Sequence, residues 1–200
     1  MTRPRKRTVL ATAALLGAFY VGTAYSGDVF PDMLTSADRD RLAIYQPLRA
    51  SVIDYVRQYA KEDDLNTLER VLEGTAIDIP PEQLVGFWDC RLLRLVRLPV
   101  TPILIYQKFE CEVFRGDNGL RLRKLTGSQR TAGAFHDIGE TRLGYVGALT
   151  VGDEKKPVRY GEQARRNQAG YLIPVSSRRM RLEFPQPGFE SDFDILELWR

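Results

Sequence analysis

The sequence predicts an α+β chain that is mainly β, with N-terminal helices packed on an antiparallel meander of eight strands. Two observations carry this prediction. Apolar residues recur every three to four positions only between residues 35 and 73, and they alternate every second position from Gly86 onward. Short strands that follow one another without intervening helices pair as a meander, and eight of them can close into a barrel without exposed edges. A β-sandwich is the alternative architecture.

Residues 1 to 26 have the composition of a signal peptide. Four basic residues stand within the first seven positions, residues 8 to 24 carry no charge, and small residues suited to signal peptidase end at Ala24 and at Ser26. We therefore expect a periplasmic protein. The alternative is a retained inner-membrane anchor with the rest of the chain facing the periplasm, because seventeen uncharged residues are near the lower limit for crossing a bilayer.

The remaining residues, 27 to 200, are predicted to form a single domain with a helical part over 35 to 73 and a β part over 86 to 199. The net charge of +3 includes the four basic residues of the leader, and without them it is −1. A chain that is close to neutral offers no basic surface for nucleic acid. Membrane contact is expected only if the leader is retained as an anchor.

A proline divides the helical part. Thr35 and Asp38 have the spacing of a capping box, and an apolar stripe follows over residues 42 to 59. Pro47 interrupts this stripe, which predicts either one kinked helix or a short helix followed by another that starts near Gln46. A further helix is predicted to begin with Asp64 as its cap and to end at Gly74. A linker that contains two prolines, residues 74 to 85, then leads to the sheet.

Turn residues such as Asp117, Asn118 and Gly119 separate the strands. We place the eight strands near residues 87 to 98, 103 to 115, 119 to 126, 129 to 136, 141 to 151, 169 to 175, 178 to 184 and 192 to 199. Large side chains fall on the inward face of these strands, which favours a filled interior over a hollow one. They are Trp88, Phe109, Leu122, Tyr145, Met180 and Phe184.

The two cysteines lie on the inward face of the first two strands. A hairpin centred between residues 100 and 101 sets Cys90 opposite Cys111. The same register creates four further pairs: Trp88 with Val113, Leu92 with Phe109, Val96 with Ile105, and Arg91 with Glu110. An exported chain with two cysteines usually joins them, so we predict a structural disulfide that contributes roughly 3 kcal/mol. A redox-sensing bond is the lesser alternative.

Candidate catalytic residues are scarce. His136 is the only histidine, which excludes a histidine-based triad and a multi-histidine metal site. Spacing assigns no pair of carboxylates to acid–base chemistry. The sequence therefore predicts no catalytic residue, no metal and no cofactor. The alternative is a periplasmic hydrolase that acts through carboxylates such as Asp153, Glu154 or Glu190.

One turn gathers chemically mixed donors and is the predicted binding loop. Its residues suit an anionic or carbonyl-bearing partner, and they are Lys124, Thr126, Ser128, Gln129 and Arg130. A second group of arginines could line another face of the domain. It comprises Arg159, Arg165, Arg166, Arg178, Arg179 and Arg181.

Several motifs resemble an uncharacterised family of alphaproteobacterial envelope proteins, catalogued as domain of unknown function 4893. They lie within residues 36 to 199 and include Leu125 to Arg130, Gly147 to Leu149, Gly152 to Glu154, Arg159 to Gly161, Ala169-Gly170, Phe189 to Ser191, and Trp88 to Arg91 with the second cysteine Cys111. The resemblance implies an exported single domain and no known activity. Gly86-Phe87-Trp88 is also similar to the opening of lipocalin-like barrels, in which such a tryptophan plugs the closed end.

These observations together predict an exported, non-enzymatic envelope protein that acts as a binding module. We expect its partner to be a protein or another envelope component, which would be held chiefly by residues 126 to 130. Two alternatives remain open at this point: the carboxylate-dependent hydrolase, and a carrier of a small apolar ligand inside the barrel.

Overall fold

Helices precede the sheet in the computed structural model of the chain, which describes residues 30–139, 141–188 and 191–200. The predicted signal peptide lies outside these residues. The helices are α1 (Phe30–Met33), α2 (Ser36–Ala43), α3 (Tyr45–Tyr59) and α4 (Glu62–Leu72), and 3₁₀ turns cover Pro81–Leu84 and Ala164–Arg166. None of the helices in this part of the chain is long and apolar enough to cross a membrane.

The predicted starts of the first helices are confirmed. Thr35 caps α2, because its Oγ1 accepts a hydrogen bond of 3.2 Å from the N–H of Asp38. Pro47 is the third residue of α3. Its missing N–H costs nothing there, since the first N–H groups of a helix have no partner within the helix. The chain therefore forms two helices at this point and not one kinked helix.

The predicted cap of the last helix is wrong. Lys61 precedes α4 as its N-cap without a side-chain hydrogen bond, and Asp64 lies inside the first turn. Glu62 and Asp63 accompany Asp64 there, and acidic side chains favour this end of a helix because of its dipole. The helix consequently begins before the residue that resembled a cap. Gly74 follows its end with φ of 95°, as predicted.

The sheet closes into an antiparallel barrel. The strands are β1 (Gly86–Leu95), β2 (Ile103–Ile105), β3 (Phe109–Gly116), β4 (Gly119–Lys124), β5 (Gln129–Asp137), β6 (Leu143–Val151), β7 (Asn167–Ser176), β8 (Arg179–Pro185) and β9 (Phe193–Trp199). Each strand from β3 onward pairs with the next, and β9 pairs with β1. β2 and β3 both pair with the same edge of β1, so they are two parts of one predicted strand. The barrel therefore has eight strands, and the sandwich alternative does not form.

The predicted register of the first hairpin is wrong by three residues between β1 and β2 and by two residues between β1 and β3. Cys111 lies opposite Trp88, and Phe109 lies opposite Cys90. The reason is the position of the turn. The N–H of Val96 donates to the carbonyl of Pro102, and Leu95 lies opposite Ile103, so the hairpin is centred on Pro99 and not between residues 100 and 101. Residues 106 to 108, which belong to neither β2 nor β3, change this displacement by one residue. Of the other predicted pairs, Arg91 meets Glu197 on β9 instead of Glu110, with Nε and Oε2 2.8 Å apart.

The disulfide nevertheless forms, because a shift of two residues leaves both cysteines on the inward face. The Sγ atoms of Cys90 and Cys111 are 2.05 Å apart, and the Cα atoms 6.0 Å. The two residues are diagonal neighbours across the ladder rather than directly opposed. Both are completely buried, so a reducing thiol in solution cannot reach the bond in the folded protein.

Large side chains fill the barrel. Trp88, Tyr145 and Phe184 are at most 2% exposed and belong to one apolar cluster with the disulfide. At one end the indole Nε1–H of Trp88 donates to the carbonyl of Leu84 at 2.9 Å, and the guanidinium of Arg200 lies 4.1 Å above the indole ring. The tryptophan therefore plugs this end of the barrel.

A second apolar cluster attaches the helices to the outside of the barrel. It joins the inner faces of α3 and α4 to the outward side chains of β1, β2 and β9. Its members include Val52, Ile53, Val56, Leu68, Val71, Leu93, Leu95, Ile103, Phe193 and Ile195. Each fully buried aliphatic or aromatic side chain of this kind contributes about 1.5–3 kcal/mol, so this layer is a large part of the stability.

A buried carboxylate completes the contact between helices and barrel. Glu183 on β8 is completely buried and accepts hydrogen bonds from the Tyr45 hydroxyl (2.7 Å), from Arg49 Nε (2.7 Å) and from Arg181 Nε (3.1 Å). Arg181 also donates through Nη1 to the carbonyls of Val71 and Leu72 at the end of α4. Burial and the neighbouring Glu183 charge raise the pKa of Tyr45, so its hydroxyl stays a donor.

Replacing Glu183 should be costly. In Glu183→Gln, Arg49 and Arg181 lose the charge that compensates them, and we expect the free energy of unfolding to fall by about 3 kcal/mol. Urea denaturation at pH 7 measures this change. Glu69→Gln, which removes the carboxylate of an exposed pair with Arg57, serves as the control and should cost less than about 1 kcal/mol. Equal losses in the two variants would contradict a special role for the buried carboxylate.

Removing the disulfide should destabilise the fold without changing it. The bond closes a loop with a sequence separation of 21 residues, for which the chain-entropy model gives roughly 3 kcal/mol. We expect this loss in the double variant Cys90→Ala, Cys111→Ala, measured by urea denaturation. In the native protein, dithiothreitol should leave the bond intact until urea is added. Rapid reduction without denaturant would show that the bond is accessible and would revive the redox-sensing alternative.

Candidate functional site

The end of the barrel opposite Trp88 is bordered by its longer loops, and we call this end the mouth. The connections that meet there are residues 96–102, 125–128, 152–166 and 186–192, of which 189 and 190 lie outside the described residues. The opposite end carries short turns and the tryptophan plug. Loops held at one end of a rigid barrel are a common place for binding residues. The predicted binding loop, residues 124 to 130, is one of these connections.

Lys124 points into the mouth and not into solvent. Its Nζ donates to the carbonyls of Thr126 (3.0 Å) and Gln129 (2.8 Å) and lies 3.6 Å from the centre of the Phe109 ring. Burial, reinforced by the charge of Arg130, lowers the pKa of Lys124 to about 8. The ammonium group therefore holds the turn together from the inside.

The other residues of the predicted loop have different positions. The Thr126 hydroxyl accepts from the N–H of Glu110 at 2.9 Å, and the carbonyl of Ser128 accepts from Gly152 N–H at 2.7 Å. Arg130 Nη1 donates to the carbonyl of Gly127 at 2.9 Å. Thr126 and Ser128 are exposed on the turn. The donors that made this loop a candidate thus largely satisfy its own backbone.

Gln129 joins the loop to charged residues that sequence reasoning did not select. Arg94 Nη2 donates to Gln129 Oε1 at 3.1 Å, and Arg94 Nε lies 3.6 Å from Asp194 Oδ1. Arg94 and Asp194 side chains are both 5% exposed. A signal for them exists in the sequence: Arg94 has the inward parity of Trp88 and Leu92.

Asp194 is a strongly perturbed group. Burial raises its pKa to about 6, although Arg94 and a hydrogen bond of 2.7 Å from Ser191 Oγ oppose this shift. Gln168 on β7 is a further polar residue of the mouth. It is 9% exposed, and its Oε1 has no hydrogen-bond partner among the described residues. Buried polar groups of this kind concentrate where proteins bind ligands or water.

These polar groups surround a small cavity of about 30 Å³. Its lining comprises Leu92, Arg94, Lys124, Gln129, Thr131, Leu149, Arg165, Arg166, Asn167, Gln168, Phe184, Pro187, Gly188, Asp194 and Leu196. Pockets for organic ligands usually measure about 300–1,000 Å³. The cavity therefore has room for a group of the size of a water molecule or the tip of a side chain, not for a small apolar ligand.

The second predicted group of arginines does not form one face. Arg165 and Arg166 line the mouth, whereas Arg178 and Arg179 lie at the β7–β8 turn at the other end of the barrel. Arg181 is buried beside Glu183 under the helices. Arg165 and Arg166 precede β7, whereas Arg178 and Arg179 follow it, so the two pairs lie at opposite ends of this strand.

An apolar segment rises beside the mouth. The exposed fractions of its side chains are 58% for Leu98, 91% for Val100, 42% for Leu104 and 38% for Tyr106. We call residues 98–106 the apolar hairpin. Leu104 lies opposite Arg94 and so belongs to the inward-facing row of side chains, at the rim of the mouth.

The apolar hairpin also has an unpaired backbone edge. The N–H of Tyr106 donates to Leu92 on β1 at 3.0 Å, so the N–H and C=O of the preceding residue, Ile105, point away from β1. Among the described strands β2 has β1 as its one neighbour, and Leu104, Tyr106 and Gln107 around the other edge are exposed. Such an edge can pair with an extended chain.

Two of the three carboxylates named for the hydrolase alternative, Asp153 and Glu154, lie within the described residues. Glu154 is exposed and accepts from the N–H of Val151 (2.9 Å) and from Arg166 Nη1 (3.1 Å). These hydrogen bonds lower the pKa of Glu154, the opposite of what a general acid requires. Asp153 is exposed beside it, and Glu190 lies outside the described residues. The described residues contain no group of three His, Cys, Asp or Glu side chains that could hold a metal.

Fold and site define a class of small antiparallel barrel with a plugged end, a polar mouth and helices packed on the outside. Residues 31–198 match the family model described as Domain of unknown function (DUF4893). Because this match covers most of the chain, the protein belongs to that family, as its motifs indicated. Searches among curated proteins and among solved structures found no match.

The raised pKa of Asp194 predicts a pH-dependent penalty in the folded state. The folded protein holds the proton more tightly than the unfolded chain between pH 3.8 and about 6, so the contribution of Asp194 to stability falls as the pH rises through this window. The free energy of unfolding of Asp194→Asn, relative to that of the wild type, should rise by about 2–3 kcal/mol between pH 4 and pH 7. Urea denaturation of both proteins across this range tests the prediction, and parallel stability curves would refute it.

Proposed function

We propose that the protein is exported and acts as a non-enzymatic binding module that holds a protein partner at the mouth of its barrel. The apolar hairpin is the observation that carries this proposal. Val100 and Leu98 are more than half exposed, on a short segment next to buried charges. Contiguous exposed apolar side chains with a polar border mark interaction sites, because water contact with them is unfavourable until a partner covers them.

The backbone of the same segment supports a protein as the partner. The free N–H and C=O of Ile105 can pair with an extended chain, and the exposed Leu104 and Tyr106 side chains can pack against it. A small polar molecule would leave the apolar side chains uncovered. Arg94 connects this edge to the predicted binding loop, because it lies opposite Leu104 and donates to Gln129 Oε1 at 3.1 Å.

Export rests on two independent supports. Residues 1 to 26 have the composition of a secretory leader, and the buried Cys90–Cys111 bond is of the kind that persists in oxidising compartments. A periplasmic location fits both. Neither the hydrolase nor the apolar carrier gains a comparable support, because Glu154 is engaged by Arg166 and the interior cavity is about 30 Å³.

Site-specific photo-crosslinking in the native cells tests the mouth as the binding surface. A photoreactive residue replaces Val100 in one protein and Asp117, at the β3–β4 turn on the opposite end, in the control. We expect discrete adducts from position 100 and none from position 117. Adding Leu104→Ser to the first protein should reduce adduct formation at least about fivefold, since a lost apolar contact is worth about 1 kcal/mol or more.

The predicted loop is tested separately. If Gln129 and Arg130 contact the partner directly, the double variant Gln129→Ala, Arg130→Ala reduces the same adducts while keeping the melting temperature. Equal adducts from positions 100 and 117, or none from position 100, would refute the mouth as the binding surface.

A further inference from the structure

A trough of about 820 Å³ lies on the outer surface of the barrel, and it shares no lining residue with the cavity of the mouth or with helices α3 and α4. Its floor consists of small apolar residues, Ala132 and Ala134 on β5 and Val146 on β6. Arg121 on β4 is directly opposite Ala134 and borders one side. The loop between β6 and β7 borders the other side with Lys156 and Arg159.

The basic side chains of the trough make no ion pair with any residue that the structure describes. Elsewhere in the described chain, arginines such as Arg57 and Arg123 form ion pairs with carboxylates. No side-chain hydrogen bond or ion pair engages Arg121, Lys156 or Arg159 within the described residues. Glu162 is the single acidic residue of the lining, and its Oε2 accepts from the backbone N–H of Arg159 at 3.1 Å. With His136 neutral, the lining carries a net charge of +2.

The loop side of the trough is held in place by a buried anchor. The Tyr160 hydroxyl, one residue from Arg159, donates to Oδ2 of Asp38 at 2.5 Å and accepts from the N–H of Thr35 at 3.0 Å. Asp38 is completely buried and also accepts from Asn167 Nδ2 at 3.2 Å. A wall fixed in this way lowers the entropy cost of ordering the loop backbone on binding.

The shape and charge of the trough indicate which kind of ligand fits it. β5 is hydrogen-bonded on both edges, to β4 and β6, so recognition must come from side chains and not from strand addition. The recessed floor of methyl groups, with cations on both sides, fits a narrow chain whose carboxylates reach the rims. We propose that this trough binds an acidic peptide segment of a protein partner. It is a surface separate from the mouth and does not depend on the function proposed for the mouth.

Fluorescence anisotropy with a labelled peptide of alternating Glu and Ala residues tests the proposal on the purified mature protein. The double variant Arg121→Gln, Arg159→Gln removes a charge from each side of the trough. The matched control, Lys61→Gln with Arg70→Gln, removes two charges on and next to α4, away from the trough. We expect the affinity to fall at least about tenfold in the trough variant and less than about twofold in the control.

Three results would overturn the proposal: no binding by the wild type, equal losses in the two double variants, or equal binding of a peptide of alternating Lys and Ala. If inorganic phosphate displaces the peptide and binds with the same affinity, the trough is a simple anion site and not a peptide site. The melting temperatures establish that the variants are folded. Val100→Ser with Leu104→Ser should leave peptide binding unchanged, so a failure of the mouth proposal is distinguishable from a failure of this one.

Discussion

A buried carboxylate on β8 connects helices α3 and α4 of this protein to its barrel. Glu183 stands on the outside of β8, where an unpaired anion would cost several kcal/mol. Tyr45 and Arg49 from α3 and Arg181 from the strand itself remove that cost only when α3 is docked. Because Arg181 also binds the last carbonyls of α4, the same group fixes both helices. The apolar layer between them and the barrel is then brought into contact in one arrangement.

The alternation of side chains predicted most of the barrel. Trp88, Tyr145 and Phe184 lie inside as their parity requires, and the strand positions agree within a few residues. The pairing of β1 with β3 was beyond this reasoning, because a slip of two residues keeps every side chain on its face. Its cause is a turn centred on Pro99, whereas the prolines at positions 99 and 102 suggested a centre between residues 100 and 101. The one-residue irregularity at residues 106–108 contains neither glycine nor proline and so gives no turn signal in the sequence.

The site was predictable only in part, for a related reason. Lys124 and Gln129 were selected as hydrogen-bond donors. The sequence does not reveal that Lys124 donates to carbonyls of its own loop. Arg94 and Asp194 are 100 positions apart, and their proximity follows from the closure of the barrel between β1 and β9. Charged residues at inward positions are a usable signal, since a strand rarely buries a charge without a compensating partner.

The closure of the barrel also sets the order in which the protein can fold. The strand β1 needs β9 as its neighbour, and contacts such as that between Arg91 and Glu197 span 106 residues. Until β9 has emerged, β1 and β8 both present open edges to other chains. Pairing over such distances is slow, because the chain loses the entropy of a long loop before the contacts between the strands can compensate for that loss. A chain of this topology cannot complete its barrel until β9 is in place, so it depends on protection from aggregation up to that point.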